Sequence, residues 1–312
     1  MDQQNQPQMP PEIPQMQTQL PPQVQARLNQ AAQAKSSNPL SQYFRQPKVY
    51  MRLPSQGKFY TQGGLDRSST GDYAVYAMTA KDELMFKTPD ALLSGQSTVE
   101  VIKSCIPAIT DPWSMPSIDL DASLVAIRIA TYGENMEVVA NCPKCNEENN
   151  YDINLVSWLE RIGNFEYKQE VVVDPLTIYV RPYSYKEITK TTLKTFEQQR
   201  IFQIVNDESL SDEDKLEKFG ESFIKLTELT VDTIAGCVHK IVTPEGETSD
   251  AEQIKEFVNN APKNVFDQIS EHIQKMKDQI ELEPQNVKCT SCDTEFTMPV
   301  TMDQSSFFAK GS

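Results

Sequence analysis

Six cysteines occur in the chain, and four of them form two matched pairs, Cys142-Pro143-Lys144-Cys145 and Cys289-Thr290-Ser291-Cys292. Two residues between thiols is the spacing that lets one tight turn aim both sulfurs at a single metal ion. Each pair sits in the same local setting. Glu137-Val138-Val139-Ala140 precedes the first and Asn149 to Leu155 follows it; Asn286-Val287-Lys288 precedes the second and Glu295 to Val300 follows it. Strand, knuckle, strand, twice over, is how a zinc ribbon builds a tetrahedral site. The expectation is one structural Zn2+ per chain, held by Cys142, Cys145, Cys289 and Cys292. Four thiolates leave no open position for water or substrate, so such a metal holds structure and does no chemistry. The cluster would carry a formal charge of about −2, and Lys144 and Lys288 stand where they could offset it. A redox CxxC usually opens a helix in a βαβ setting, and neither pair has that context. Two unrelated surface pairs are the plain alternative.

Other residues with chemical potential point to ordinary roles. Asp207 to Asp214 is acidic but lacks the glycine and final glutamate of a calcium loop; it reads as a solvated helix start. His239 and His272 have no motif around them. No HExxH, nucleophile elbow or P-loop is present, and Gln62-Gly63-Gly64 reads as a turn. Asp119 and Asp121 could pair as carboxylates, but they lie where a helix N-cap is expected. Cys105 and Cys237 each neighbour an apolar residue and read as buried free thiols.

The elements that must position the cysteines follow. Between the knuckles lie 143 residues, Asn146 to Lys288, against a usual spacing of about 15–20. The ribbon would therefore clamp the two ends of a long insertion. The fold class is α+β: a small N-terminal α+β domain (39–136), a split four-cysteine zinc ribbon (137–156 with 283–303) and a mainly helical insertion (157–282). Residues 1–38 are rich in Gln and Pro and read as a disordered tail.

In the first domain, Val49 to Leu53 and Ala74 to Met78 read as strands, with a turn at Pro54-Ser55-Gln56-Gly57. Helices are expected from Thr88, over Thr98 to Ile106, and over Asp121 to Thr131 with Gly133 as C-cap. The insertion opens with an amphipathic stretch, Leu155 to Ile162, then strands Glu170 to Val173 and Leu176 to Val180. Helices follow over Tyr185 to Val205, from the Ser211 cap to Cys237, over Ser249 to Asn259 and over Pro262 to Glu281. The Ser211 helix places Leu216, Phe219, Phe223, Leu226 and Ile234 on one side, and the last helix does so with Val265, Ile269, Ile273 and Met276. Amphipathic helices in series imply a small bundle.

A net charge of −15 argues against binding nucleic acid through its phosphates. No basic-then-apolar leader opens the sequence, and no run of about 18 apolar residues suggests a membrane span.

Three blocks, Leu53-Pro54-Ser55-Gln56-Gly57-Lys58-Phe59-Tyr60, Met78 to Glu83 and Pro89 to Gly95, together resemble the baseplate hub family of T4-type tailed phages. Ile127 to Gly133 and the first knuckle fit the same pattern. The resemblance covers about residues 40–165, weakens through the insertion and returns at the second knuckle; the Gln/Pro tail lies outside it. It implies a non-enzymatic phage tail protein, either a hub component or a hub-assembly factor, with other hub or tail proteins as partners. Its location would be the host cytoplasm during assembly or the baseplate of the virion tail. It carries over no catalytic residues. A zinc-ribbon regulator binding nucleic acid or a polymerase competes with this reading and is opposed by the charge. A zinc hydrolase would need an exchangeable water on the metal.

Overall fold

Local sequence decides where the chain turns, and one long apolar helix decides what it turns around. The computed structural model describes residues 40, 43–87, 94–204, 211–300 and 308. Met1–Arg45 and Gln46–Ser312 form two separate units. In the first, the described residues show one turn, Tyr43 N–H donating to the Leu40 carbonyl at 2.9 Å. All that follows concerns the second.

Strands β1 (Pro47–Arg52) and β2 (Asp72–Tyr76) pair antiparallel, with Tyr50 opposite Ala74 and Met51 opposite Tyr73. Met51, Tyr73 and Val75 point into the core while Tyr50 faces solvent, the alternation that a half-buried sheet requires. Helix α1 (Ala80–Phe86) is started by a reciprocal cap: the Asp82 amide donates to Thr79 Oγ1 and the Thr79 amide to the Asp82 carboxylate. The Thr88 helix start lies outside the described residues. Helix α2 (Gln96–Cys105) leads through a 3-10 turn, Pro112–Ser114, into α3 (Ser117–Tyr132). Helix α3 is buried on nearly every side, including Leu124, Val125, Ala126 and Ile127, as a core helix should be. It ends on Gly133, whose φ is 102°, as expected. It starts at Ser117, four residues before the expected Asp121. Pro116 is its N-cap and makes no side-chain cap, so the capping role expected of Asp119 and Asp121 is wrong: both lie inside the helix.

Hairpin β3 (Asn135–Asn141) and β4 (Glu148–Asn154) holds the first knuckle, and β9 (Gln285–Lys288) with β10 (Glu295–Met298) holds the second. Between β4 and β9 come α4 (Leu155–Gly163), β5 (Glu170–Val173), β6 (Leu176–Val180), α5 (Tyr185–Ile204), α6 (Asp212–Cys237), β7 (Val238–Thr243), β8 (Gly246–Thr248), α7 (Ala251–Asn260) and α8 (Lys263–Asp278). Strands β5 to β8 form one antiparallel sheet in sequence order. The expected small bundle is present in part: α5 packs on α6 and α6 on α7, while α7 also covers β7 and α8 covers β5. The reason is β7, which follows α6 directly at Val238, with Gly236 inside the helix's last turn and no connecting loop. It adds Val238 and Ile241 to the core and gives the later helices a sheet to cover.

Helix α4 brings the insertion back to the ribbon. The Asn154 side chain caps it by accepting from the Val156 and Ser157 amides. Its Arg161 donates to the Gln279 and Glu281 carbonyls, each at 2.9 Å, and Trp158 Nε1 to the Ile280 carbonyl at 3.1 Å. These carbonyls follow α8, where the helix itself leaves acceptors without partners. The grip hands the chain to β9 beside the first hairpin.

Candidate metal centre

Each knuckle is closed by the same two backbone hydrogen bonds. In the first, Cys142 N–H donates to the Glu147 carbonyl and Asn146 N–H to the Cys142 carbonyl, both at 2.9 Å. In the second, Cys289 N–H donates to Thr294 at 2.9 Å and Asp293 N–H to Cys289 at 3.1 Å. The residue after each pair is left-handed, Asn146 at φ 58° and Asp293 at φ 56°. Asn and Asp are the non-glycine types that tolerate this region best, so the local sequence suits the turn both times.

The two turns face each other. Cys142 Sγ lies 3.6 Å from Cys292 Sγ, Cys145 Sγ lies 3.6 Å from Cys289 Sγ, and no two of the four sulfurs are more than 4.8 Å apart. All four cysteines are free; 3.6 Å is far beyond a disulfide of about 2.05 Å. Four sulfurs each about 2.3 Å from a tetrahedral zinc stand about 3.8 Å apart. The cluster has the size and donor set for a metal ion. Cys142 and Cys289 are buried, Cys292 is intermediate and Cys145 is exposed, so the ion would sit near the surface with its inner side covered. The Thr294 hydroxyl is 3.2 Å from Cys292 Sγ; its hydrogen bond and that of the Thr294 amide lower the pKa of the Cys292 thiol, while that of the Cys145 thiol beside it is raised.

Asn149 ties one half of the ribbon to the other without any metal. Buried on β4, it accepts at Oδ1 from the Thr290 amide (2.9 Å) and hydroxyl (2.7 Å). Its Nδ2 donates to the Glu147 carbonyl and lies 3.6 Å from Cys289 Sγ. Such contacts hold ligands in orientation. Tyr151 adds a hydrogen bond to the Lys288 carbonyl at 3.1 Å and an edge-to-face contact with Phe296. Lys288 itself pairs with Asp293 at 2.8 Å, and Lys144 contributes its amide, 3.4 Å from Cys142 Sγ.

A family model described as T4 bacteriophage base plate protein matches residues 46–309, which takes in both knuckles and everything between them. The chain belongs to that family. No curated protein and no solved structure matches it. Membership in the T4 base plate family supports a structural role in the phage baseplate and phage proteins as partners. Among the described residues no helix is long and apolar enough to cross a membrane.

Two further findings about this base plate chain concern residues with chemical potential. His272 Nε2 lies 2.7 Å from the Lys168 carbonyl, and His239, half-buried, stacks edge-on against Tyr179. Among the described residues, no hydrogen bond joins either histidine to a serine, threonine or cysteine side chain. Cys105 and Cys237 are buried free thiols, as expected. Asp119 is the residue that sequence reasoning undervalued. Fully buried, its carboxylate accepts from the Ser55 amide at 2.7 Å, the Ser55 hydroxyl at 2.5 Å and the Tyr60 hydroxyl at 3.0 Å. Burial pushes its carboxyl up to about 7 despite those donors. It ties down the Leu53–Tyr60 turn, where Gln56 and Phe59 are left-handed at φ 56° and 70°. No local signal links Asp119 to Ser55, 64 positions away.

Proposed function

We propose that the chain is a non-enzymatic component or assembly factor of the phage baseplate hub, acting through protein–protein contacts, and that Cys142, Cys145, Cys289 and Cys292 hold one structural Zn2+. The family match over residues 46–309 carries the baseplate part of this reading. The four-sulfur cluster supports the metal: thiolate sets of this size select zinc or iron–sulfur chemistry over hard cations, and four protein ligands leave no site for a reacting water. Its service is mechanical. The clamp joins Asn146 and Lys288 across the whole insertion, so metal binding becomes folding free energy for a long loop. Contacts to other hub or tail proteins would then be presented on a body whose two ends are fixed.

Mass spectrometry of purified virions separates the two forms of the reading. Presence in the particle at a fixed stoichiometry marks a hub component, and presence only in infected-cell assemblies marks an assembly factor. Absence from both, in cells producing the phage, sinks the hub assignment. Metal analysis tests the zinc separately, with one equivalent per chain expected.

A further inference from the structure

Where the Leu53–Tyr60 turn meets the β1–β2 hairpin, the surface opens into a cleft of about 440 Å3, a size that takes a small molecule or a few side chains. Its walls come from Arg52 and Gln56, from the loop between Arg67 and Gly71, and from the end of α4 at Asn164. The charged residues of the lining are Arg52 and Arg67, with no carboxylate among them, on a chain whose net charge is −15. Arg52 already pairs with Asp72 at 3.1 Å. Arg67 is exposed and makes no ion pair or hydrogen bond among the described residues.

A second donor waits beside it. Tyr73, which also lines the cleft, is only 5 % exposed, yet its hydroxyl has no hydrogen-bond partner among the described residues. A tyrosine this deeply buried normally finds one. Tyr73 Oη and Arg67 Nη1 lie 3.5 and 3.9 Å from the point where a side chain on Gly57 would begin, so the two donors converge at the turn. The turn itself is fixed. Gln56 and Gly57 are left-handed at φ 56° and 74°, and Asp119 holds the adjoining Ser55 by its amide and its hydroxyl. Backbone kept in sparsely populated angles clusters at binding sites, and a turn already fixed loses little entropy when a ligand docks.

Charge and donor type select the ligand. It must supply acceptors and negative charge. One unpaired guanidinium balances one unit of charge, and its fork matches the two oxygens of a carboxylate. A phosphate, at about −1.5 to −2, would be only partly neutralised and would face the Asp72 carboxylate beside Arg52. We propose that this cleft binds an aspartate or glutamate side chain of a partner protein, whose carboxylate accepts from Arg67 and from the Tyr73 hydroxyl. That the partner is a hub or tail protein rests on the function proposed above; absence of the chain from virions and hub assemblies would remove that partner and leave the carboxylate site standing.

NMR spectroscopy of the full chain, titrated with an end-blocked tripeptide carrying a central glutamate, reads the site through the amides of Gly71 and Asn164, which line it. Saturable shifts are expected at both, and the glutamine counterpart of the peptide should give none. Arg67→Gln should weaken binding at least ~tenfold, through loss of a charge-assisted bond. Tyr73→Phe keeps the ring in the core and should weaken it about threefold to tenfold. Lys218→Gln removes an exposed cation on α6 and should change nothing. Parent and Arg67→Gln should melt together, since the lost guanidinium is exposed. Peptide binding that leaves Gly71 and Asn164 unmoved, or that survives Arg67→Gln undiminished, overturns the proposal. Inorganic phosphate binding more tightly than the peptide overturns it as well, because the cleft would then be a phosphate site.

Discussion

The ribbon and the Asp119 knot solve one problem in two ways. Both fasten segments far apart in the chain, and both do so at turns containing left-handed residues. Among the described residues, the four non-glycine positions with positive φ divide equally: Asn146 and Asp293 in the ribbon, Gln56 and Phe59 in the knot. In the ribbon the residue types already favour the turn, and the turn repeats. In the knot they do not: a glutamine and a phenylalanine in the left-handed region cost about 1–2 kcal/mol each. A buried carboxylate holds them there by accepting from Ser55 and Tyr60 on either side. Where local preference and tertiary geometry agree, the structure can be read from the chain; where tertiary contact overrules preference, it cannot.

The largest effect should come from the ribbon's metal. Cys142→Ser and Cys289→Ser each remove one of four ligands from one ion, so both should lose zinc to a similar degree. Structural zinc binds with apparent free energies on the order of 10–16 kcal/mol; either change should cost several kcal/mol and make the melting temperature insensitive to chelator. Metal content by mass spectrometry and chelator-dependent unfolding of parent and variants test this. Cys105→Ser serves as the control, since Cys105 lies outside the cluster. Full occupancy after either ligand change would mean that the knuckles do not share a metal.

The knot ranks next. Asp119→Ala leaves three donors without their acceptor inside the core, an expected loss of about 3–5 kcal/mol. Its pH dependence distinguishes it from the ribbon. Folding raises this carboxyl from 3.8 to about 7, so the native state binds the proton more tightly than the unfolded chain. Its contribution is complete below the unfolded value and is lost as pH rises through about 7. Between pH 5 and pH 8 the parent should therefore lose ground against Asp119→Asn, which cannot ionise. Urea midpoints of the two proteins across that window decide it: a constant difference would show that Asp119 does not titrate there.

A smaller effect separates the metal from the protein framework around it. Asn149→Ala removes both bonds to Thr290 and the contact to Cys289. The expected result is about 1–3 kcal/mol of lost stability and zinc affinity reduced by about 10–100-fold, measured by competition with a calibrated chelator. If affinity is unchanged while stability falls, Asn149 fastens the hairpins and does not orient the ligands.

These magnitudes track what could be read in advance. The cysteine spacing, the flanking strands, the Ser211 cap and the Gly133 stop are all local, and each stands where the residues indicate. Strand β7 was hidden because it follows α6 with no loop between them, and Gly236 in the helix's last turn is the sole local mark of the change. The amphipathic pattern of α6 was legible, but not its consequence, since Leu216 and Phe223 stay exposed. Asp119 looked like a cap because an acidic residue near a helix start usually is one; its real partners are set by the packing of α3 against the β1–β2 hairpin.

The smallest expected effect tests the comparison most sharply. Gln56→Gly changes an exposed residue at φ 56° that takes its conformation from the knot and not from its own preference. Glycine enters that region without the penalty of about 1–2 kcal/mol that a side chain meets, and loses about 0.5–1 kcal/mol through the greater freedom of the unfolded chain. The balance is a gain near ~0.5 kcal/mol, read as a small upward shift in the urea midpoint. Asn146→Gly, at φ 58° in the first knuckle, should gain less, because asparagine already suits the turn. If Gln56→Gly instead loses stability, the side chain has a role of its own in the polar cleft that it lines with Arg52 and Arg67. The strain of the knot would then be smaller than its backbone angles imply.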